Sequence, residues 1–158
     1  MNNKETIRQA SVADMPCLMD LLRQVAMVHH RLRPDLFKPD TTKYSEPELE
    51  TLLGDESKPI FVYDDGEVLG YAFCRITEVT NDRLLQDRKT LYIDDLCVDE
   101  KARGKHIGGA LFEFVRDYAR SIGCLAVTLN VWAGNDVAIR FYQNKGMQPQ
   151  KIGMEIVV

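Results

Sequence analysis

Residues 89–123 limit most strictly what this chain can become. They run from a β-rich stretch, "KTLYIDDLCV", through a loop crowded with glycine and basic side chains, "DEKARGKHIGG", into an amphipathic helix closed by Gly123. Ile107, Ala110, Leu111, Phe114, Val115, Tyr118, Ala119 and Ile122 recur at helical spacing on one face, with Glu113, Arg116, Asp117 and Arg120 on the other. The next run, "CLAVTLNVW", reads as a strand. Strand, helix and strand in that order predict a right-handed parallel crossover, with the helix laid against a sheet.

The remaining elements fit round that unit. "ETIRQA" reads as a first strand; Ser11, Asp14 and Pro16 mark a helix start, and Leu18, Leu21, Leu22, Val25 and Val28 keep helical spacing until Pro34. "SEPELETLLG" reads as a short second helix. "PIFVYDDGEVLGYAFCRI" is a hairpin turning at Asp65-Gly66. Asn135 caps a last helix ended by Gly146, and "QKIGMEIVV" reads as a final strand. The predicted order is β-α-α-β-β-β-α-β-α-β over one domain, residues 1–158: an α/β chain with a mixed sheet and helices against it.

Composition narrows the function. A net charge of -4 disfavours non-specific nucleic-acid binding. Residues 1–80 carry 14 acidic and 9 basic side chains, and residues 81–158 carry 10 and 11, so the acidic excess lies in the first half. No apolar run approaches the roughly 20 residues of a membrane span. "MNNKETIRQ" lacks a secretory signature, so the expected location is cytoplasmic. Cys17, Cys74, Cys97 and Cys124 lie far apart without metal spacing, and are expected as reduced thiols with no bound metal.

The loop is the chemical signal. A short glycine-rich passage from strand to helix leaves backbone N–H donors at the helix start, where the helix dipole favours an anion. Gly104, Gly108 and Gly109 permit close approach, and Lys101, Arg103 and Lys105 add charge, which points to phosphate; an ordinary solvated turn is the alternative. Neither G-x-x-x-x-G-K-[ST] nor G-x-G-x-x-G is present.

The stretch Arg103-Gly104-Lys105-His106-Ile107-Gly108 resembles the acetyl-CoA loop [QR]-x-x-G-x-[GA] of the GNAT superfamily of N-acetyltransferases, with His106 in place of a glycine. "YIDDLCV" is similar to that family's fourth strand. "LNVWAGNDVAIRFYQNKGM" resembles its second signature, N-x-x-A-x-x-[FL]-Y-x-[KR]-x-G-F, on Asn135, Ala138, Phe141, Tyr142, Lys145 and Gly146, with Met147 in the last place. The element order agrees along the whole chain. The resemblance implies a mostly antiparallel central sheet of six to seven strands flanked by about four helices. Histidine is tolerable at position 106 if its φ is negative, which places it in the first helical turn with its ring turned away; a ring contact to the cofactor is the alternative.

What the resemblance implies chemically is transfer of an acetyl group from acetyl-CoA by direct attack of an amine. An alkylamine sits about three pKa units from neutrality at pH 7, a cost of roughly 4 kcal/mol unless a base takes its proton. The resemblance puts that base at Asp94, directly or through water, while strand alternation allows only one of Asp94 and Asp95 to face the cleft; a structural anchoring role for Asp94 is equally open. It further implies backbone N–H donors at Leu96, Cys97 and Val98 for the thioester and pantetheine. The resemblance also implies that Arg103, Gly104, Lys105, His106, Ile107, Gly108 and Gly109 hold the pyrophosphate, that Tyr142 is the acid for the leaving thiolate, with a core aromatic as the alternative, and that Asn135 and Asn130 are further cofactor contacts. A covalent acetyl-Cys97 intermediate would need a depressed thiol pKa.

The acceptor is expected against "MVHHRLRPDLFKPD". His29, His30, Asp35 and Phe37 are candidates to line its pocket, although a helix-end histidine pair and a loop anchor explain them as well. An acidic first half suits a cationic acceptor such as a polyamine. A protein or peptide acetyltransferase and a CoA-binding module without turnover are the rival readings. "MEIVV" offers a strand for pairing with a second subunit, so a homodimer is compatible.

Overall fold

The computed structural model describes residues 6–158; "MNNKE", including the first residue of the expected first strand, lies outside them. One five-stranded sheet organises the chain. Its strands are β1 (Ile7–Gln9), β2 (Ile60–Asp64), β3 (Val68–Val79), β4 (Arg88–Val98) and β5 (Ala126–Leu129), lying side by side in that order. The first four pair antiparallel, and β4 pairs with β5 parallel, as the strand–helix–strand pattern requires.

Among the described residues, four α-helices flank the sheet: α1 (Met15–Leu32), α2 (Glu46–Leu53), α3 (Ile107–Ser121) and α4 (Asp136–Asn144). Their start signals act as the sequence indicates. Asp14 reaches back to the Ser11 N–H at 2.8 Å, Glu48 to the Ser45 N–H at 2.7 Å, and Asn135 Oδ1 accepts the Ala138 N–H at 3.3 Å.

The two sheet faces bury separate cores. Leu18, Leu21 and Leu22 of α1 and Leu49 of α2 pack on Val62, Tyr71 and Phe73. On the other face Ile107, Leu111 and Val115 of α3 meet Phe61, Ala72, Leu91 and Ile93. Each fully buried aliphatic side chain contributes about 1.5–3 kcal/mol, so these stripes hold the helices in place. Gly70 lets α3 and β4 approach β3 closely: a Cβ there would stand 2.9 Å from the Cys97 carbonyl and 3.1 Å from Leu111 Cδ1.

The sheet has five strands rather than six or seven, because "QKIGMEIVV" forms no strand. Residues 148–158 are exposed throughout and make no backbone hydrogen bond within the described residues. A strand needs a hydrogen-bonding neighbour, and this segment runs instead toward the end of α1, where Arg33 Nη1 meets Glu155 Oε1 at 2.7 Å.

Candidate active site

A gap opens in the sheet where β5 stops. The β4–β5 pairing runs from Thr90 opposite Ala126 to Ile93 opposite Leu129 and ends there, while β4 continues along β3 to Val98. Beyond Ile93, β4 backbone groups turned away from β3 have no strand partner. Asp99 donates its N–H to the Leu69 carbonyl at 2.8 Å on the β3 side. Alternation then directs the Cys97 amide to β3 and the Leu96 and Val98 amides into the gap.

A bulge stands at the mouth of the gap. Phe73 is opposite Asp95 but Cys74 is opposite Ile93, so Asp94 is the extra residue. This overturns the alternation argument that only one carboxylate can face the cleft: both lie on the α1/α2 side. Asp94 Oδ2 accepts from the Tyr44 hydroxyl at 2.7 Å and from Lys43 Nζ at 2.8 Å. Tyr44 stacks on Phe73 at 5.8 Å, Phe73 meets Tyr71 edge-on at 4.7 Å, and the Tyr71 hydroxyl donates to Asp95 Oδ2 at 2.6 Å. A cavity of about 100 Å³ adjoins this chain of rings, lined by Tyr44, Lys58, Phe73, Arg75 and Asp94 among others.

The two carboxylates differ in charge behaviour. Burial raises the Asp94 pKa, but hydrogen bonds from Lys43 and Tyr44 overcome it and hold the group below the usual carboxylate range. Burial dominates at Asp95 and pushes its pKa up to about 6 against the hydrogen bond from Tyr71.

On the other wall α4 presents Phe141 and Tyr142, packed against Phe112 and each other with ring centroids 5.1–6.4 Å apart. Burial, then the Asp95 charge, moves Tyr142 up to about 12, so the phenol keeps its proton and feels Asp95 across the gap. Its hydroxyl makes no hydrogen bond among the described residues. Asn135 is committed to capping α4 through Ala138, and Asn130 is exposed just past β5.

At the far end lies the glycine-rich loop. Asp99 accepts the Lys101 N–H at 3.0 Å, and the Lys101 ammonium pairs with Glu67. Arg103 and Lys105 are exposed and have no ion-pair partner among the described residues. Gly104 has φ 82°, and His106 has φ 61° and ψ 19°. The expected negative φ at His106 is therefore corrected: the residue is the N-cap of α3 in the left-handed region, a conformation that glycine adopts freely and histidine at a cost of about 1–2 kcal/mol. A shape suited to glycine has been kept, with a side chain placed on it.

This cradle fits a diphosphate. The N–H groups of Ile107, Gly108 and Gly109 fall in the first turn of α3, where helices have no internal acceptor. Gly108 faces Val98 and Phe141 at ordinary contact distance, 3.5 Å from Val98 Cγ2 and 3.6 Å from Phe141 Cζ for a Cβ built there. A Cβ at Gly109 would lie 3.1 Å from Lys145 Nζ, so α4 brings a further cation to this turn; Lys145 pairs with Glu113 at 2.9 Å.

The acceptor-side candidates divide. His29 stacks on Phe37 at 5.1 Å, Phe37 meets Trp132 edge-on at 5.5 Å, and Arg33 lies 5.7 Å over the Trp132 ring. These rings link the end of α1 to the segment after β5, across the mouth of the gap. His30 Nδ1 donates to the Phe37 carbonyl at 2.7 Å, and Asp35 holds Arg33 at 2.8 Å, so both are loop anchors. Cys97 is buried with its thiol pKa pushed up to about 12, chiefly by burial and then by Asp95, a protonated sulfur unsuited to nucleophilic attack.

Sequence reasoning missed Lys43, Tyr44, Tyr71, Phe73 and Trp132. The period-2 spacing of Tyr71 and Phe73 on β3 was a usable signal for two rings on one face. Nothing local connects Tyr44 or Trp132 with the carboxylates.

Residues 25–147 match the acetyltransferase (GNAT) family. A mutant of the BH1408 protein from Bacillus halodurans superimposes with a TM-score of 0.91 at 32% identity, covering 96% of this chain and 98% of that one. Glucosamine 6-phosphate N-acetyltransferase of Arabidopsis thaliana is 38% identical over 66 residues, 42% of either chain. Spermine/spermidine N(1)-acetyltransferase of Bacillus subtilis is 26% identical over 92 residues, 58% of this chain and 59% of that one. The matched stretches thus span less than two thirds of either curated relative.

Proposed function

Given that the chain belongs to the acetyltransferase (GNAT) family, and is therefore an acyltransferase, we propose that it moves an acetyl group from acetyl-CoA onto a small amine by direct attack. The observation that carries this reading is the pairing of unlike groups across the β4–β5 gap. Asp95, with a pKa of about 6, takes a proton near neutral pH; Tyr142, at about 12, keeps one to give.

In this reading Arg103, Lys105 and the amides of residues 104–109 hold the diphosphate, and Asn130 and Asn135 flank the far side. Bound acetyl-CoA supplies the activated acyl carbon. The Leu96 and Val98 amides suit the thioester oxygen as it gains charge. Asp95 receives the proton of the incoming ammonium, directly or through water; the Tyr142 hydroxyl protonates the departing sulfur and regains its proton from the nitrogen of the new amide. Asp94, ionised and paired with Lys43, orients the acceptor rather than deprotonating it.

A cationic small molecule suits the site best. The Lys43 ammonium lies on Asp94 and 5.6 Å over the Tyr44 ring, the kind of cation that this acidic, aromatic wall accepts. The two curated relatives are named for small amines. The Phe37–Trp132 contact across the gap favours a closed pocket over the open groove that a protein acceptor requires. Four free thiols support a cytoplasmic location, and the unpaired C-terminal segment supports assembly in pairs.

The test is free-thiol release from acetyl-CoA against polyamines, amino sugars, amino acids and peptides. Turnover with one small amine is the expected result. Turnover with peptides alone moves the acceptor to protein, and acetyl-CoA binding without turnover on any amine leaves a CoA sensor.

A further inference from the structure

The chain carries an amine of its own into the cleft. Lys43 Nζ lies 2.8 Å from Asp94 Oδ2 and 5.6 Å from the centre of the Tyr44 ring, the place proposed above for the acceptor's cation. The segment between α1 and α2 holds it there. Thr42 Oγ1 donates to the Tyr44 carbonyl at 2.8 Å, while Tyr44 is fixed by its hydroxyl on Asp94 at 2.7 Å and its ring on Phe73 at 5.8 Å. Neighbouring groups feel the ammonium on two sides. Burial, then the Lys43 charge, lowers the His29 pKa at the aromatic rim. At Asp95 burial raises the pKa, and the Tyr71 hydrogen bond and then the Lys43 charge oppose it.

Among the described residues no other lysine places its ammonium on a cleft carboxylate. Lys58 lines the same cavity but turns to Asp55 at 3.9 Å, Lys145 pairs with Glu113, and Lys89 donates to the Ile122 carbonyl. The hold on Lys43 is loose. Its side chain is 47% exposed, and an ion pair that open to water is weak, so the stem is free to leave Asp94. The Leu96 amide, assigned to the thioester oxygen, is two residues further along β4, about 7 Å at strand rise and within the swing of a lysine's flexible stem. An amine tethered this close competes with free amines at an effective concentration of about millimolar or more.

We propose that Lys43 is an acceptor in its own active site, and that each chain transfers one acetyl group from acetyl-CoA to its own Lys43 Nζ when no small amine occupies the cleft. The inference rests on the acetyl transfer proposed above. The Lys43 ammonium gives one proton to Asp95, and its nitrogen attacks the thioester carbonyl carbon. The C–N bond forms, the C–S bond breaks, and the sulfur leaves as the CoA thiol with the Tyr142 proton. The new amide nitrogen returns a proton to Tyr142, and Asp95 releases its own to water. Acetyl-lysine carries no charge, so the product leaves Asp94, and the carboxylate becomes free for the cation of a small acceptor.

The experiment incubates the full chain with acetyl-CoA and no added amine, and follows intact mass and peptide maps over time. One acetyl group on Lys43 is expected, appearing at a rate independent of protein concentration. Lys43→Arg keeps the charge on Asp94 and should show only the slow background at other lysines. Asp95→Asn retains Lys43 and should acetylate it at least roughly a hundredfold more slowly, with circular dichroism unchanged. Acetyl-Lys43 already present in the purified parent and absent from purified Asp95→Asn is the same result. Equal labelling of Lys43 in parent and Asp95→Asn, or labelling spread over exposed lysines such as Lys105, means chemical acetylation and overturns the proposal. A rate proportional to protein concentration means transfer between chains and also overturns it. No acetyl on Lys43 in a chain that turns over a small amine overturns this inference and leaves the proposed function standing. Neither Lys43 nor any amine acetylated overturns both.

Discussion

The Tyr71 hydroxyl donates to Asp95 Oδ2 at 2.6 Å from a completely buried position on β3, two residue pairs from the Phe73–Asp95 pair that borders the bulge bringing Asp94 onto the same face. Two neighbouring carboxylates are thereby given different work. One is shielded and slow to ionise; the other is held charged by Lys43 and Tyr44.

Asp95 takes the amine proton once ionised, so kcat/KM is expected to rise through a pKa of about 6 and level off above it. Asp95→Asn lowers the rate by roughly 10²–10⁴. The folded pKa of Asp95 lies above the unfolded value near 3.9, so its contribution to stability is fully present below about pH 4 and is lost as pH rises to about 6, by up to roughly 3 kcal/mol. Asp95→Asn should therefore be more stable than the parent at pH 8 and about equal at pH 4 in urea unfolding. A variant less stable at pH 8 would show that the ionised carboxylate is favoured by the fold, against this assignment.

Asp94→Asn has a different expected signature. Its carboxylate is charged across the working range, which makes it a poor base and a good partner for a cation. The acceptor KM should rise about tenfold, the worth of one charge-assisted hydrogen bond, with the pH midpoint of the rate unchanged. Loss of that midpoint in Asp94→Asn, with kcat collapsed, would return the base role to Asp94.

Tyr142→Phe retains the ring contacts with Phe112 and Phe141 and removes the proton donor. Turnover should drop about a hundredfold while acetyl-CoA binding, read by calorimetry, stays within about twofold. Unchanged turnover would remove Tyr142 from the chemistry.

His106→Gly should stabilise the protein. Glycine relieves the positive φ of 61°, offset in part by its larger unfolded-state entropy, for a net gain of roughly 0.5–1 kcal/mol or about 2 °C in Tm. Gly104→Ala, at φ 82° with open space where its Cβ would go, should lose a similar amount through backbone strain alone. A His106→Gly variant less stable than the parent would mean that the imidazole itself makes a stabilising contact.

Local chemistry determined much of this protein. Periodicity placed α1 and α3, capping side chains marked the helix starts at Ser11 and Asn135, and Asp65-Gly66 turned the hairpin, because each depends on residues a few positions apart. The loop at 101–109 was legible for the same reason. Tertiary structure decided the rest, through relations the chain does not encode at short range. The bulge at Asp94 is a property of two strands in register, and it reversed the alternation that placed one carboxylate out of the cleft. The backbone sign at His106 is imposed by the turn joining β4 to α3, whatever side chain occupies it. Tyr44 reaches Asp94 across 50 positions of sequence. "QKIGMEIVV" reads as a final strand, but a residue pattern does not supply a hydrogen-bonding neighbour, and among the described residues no strand pairs with it.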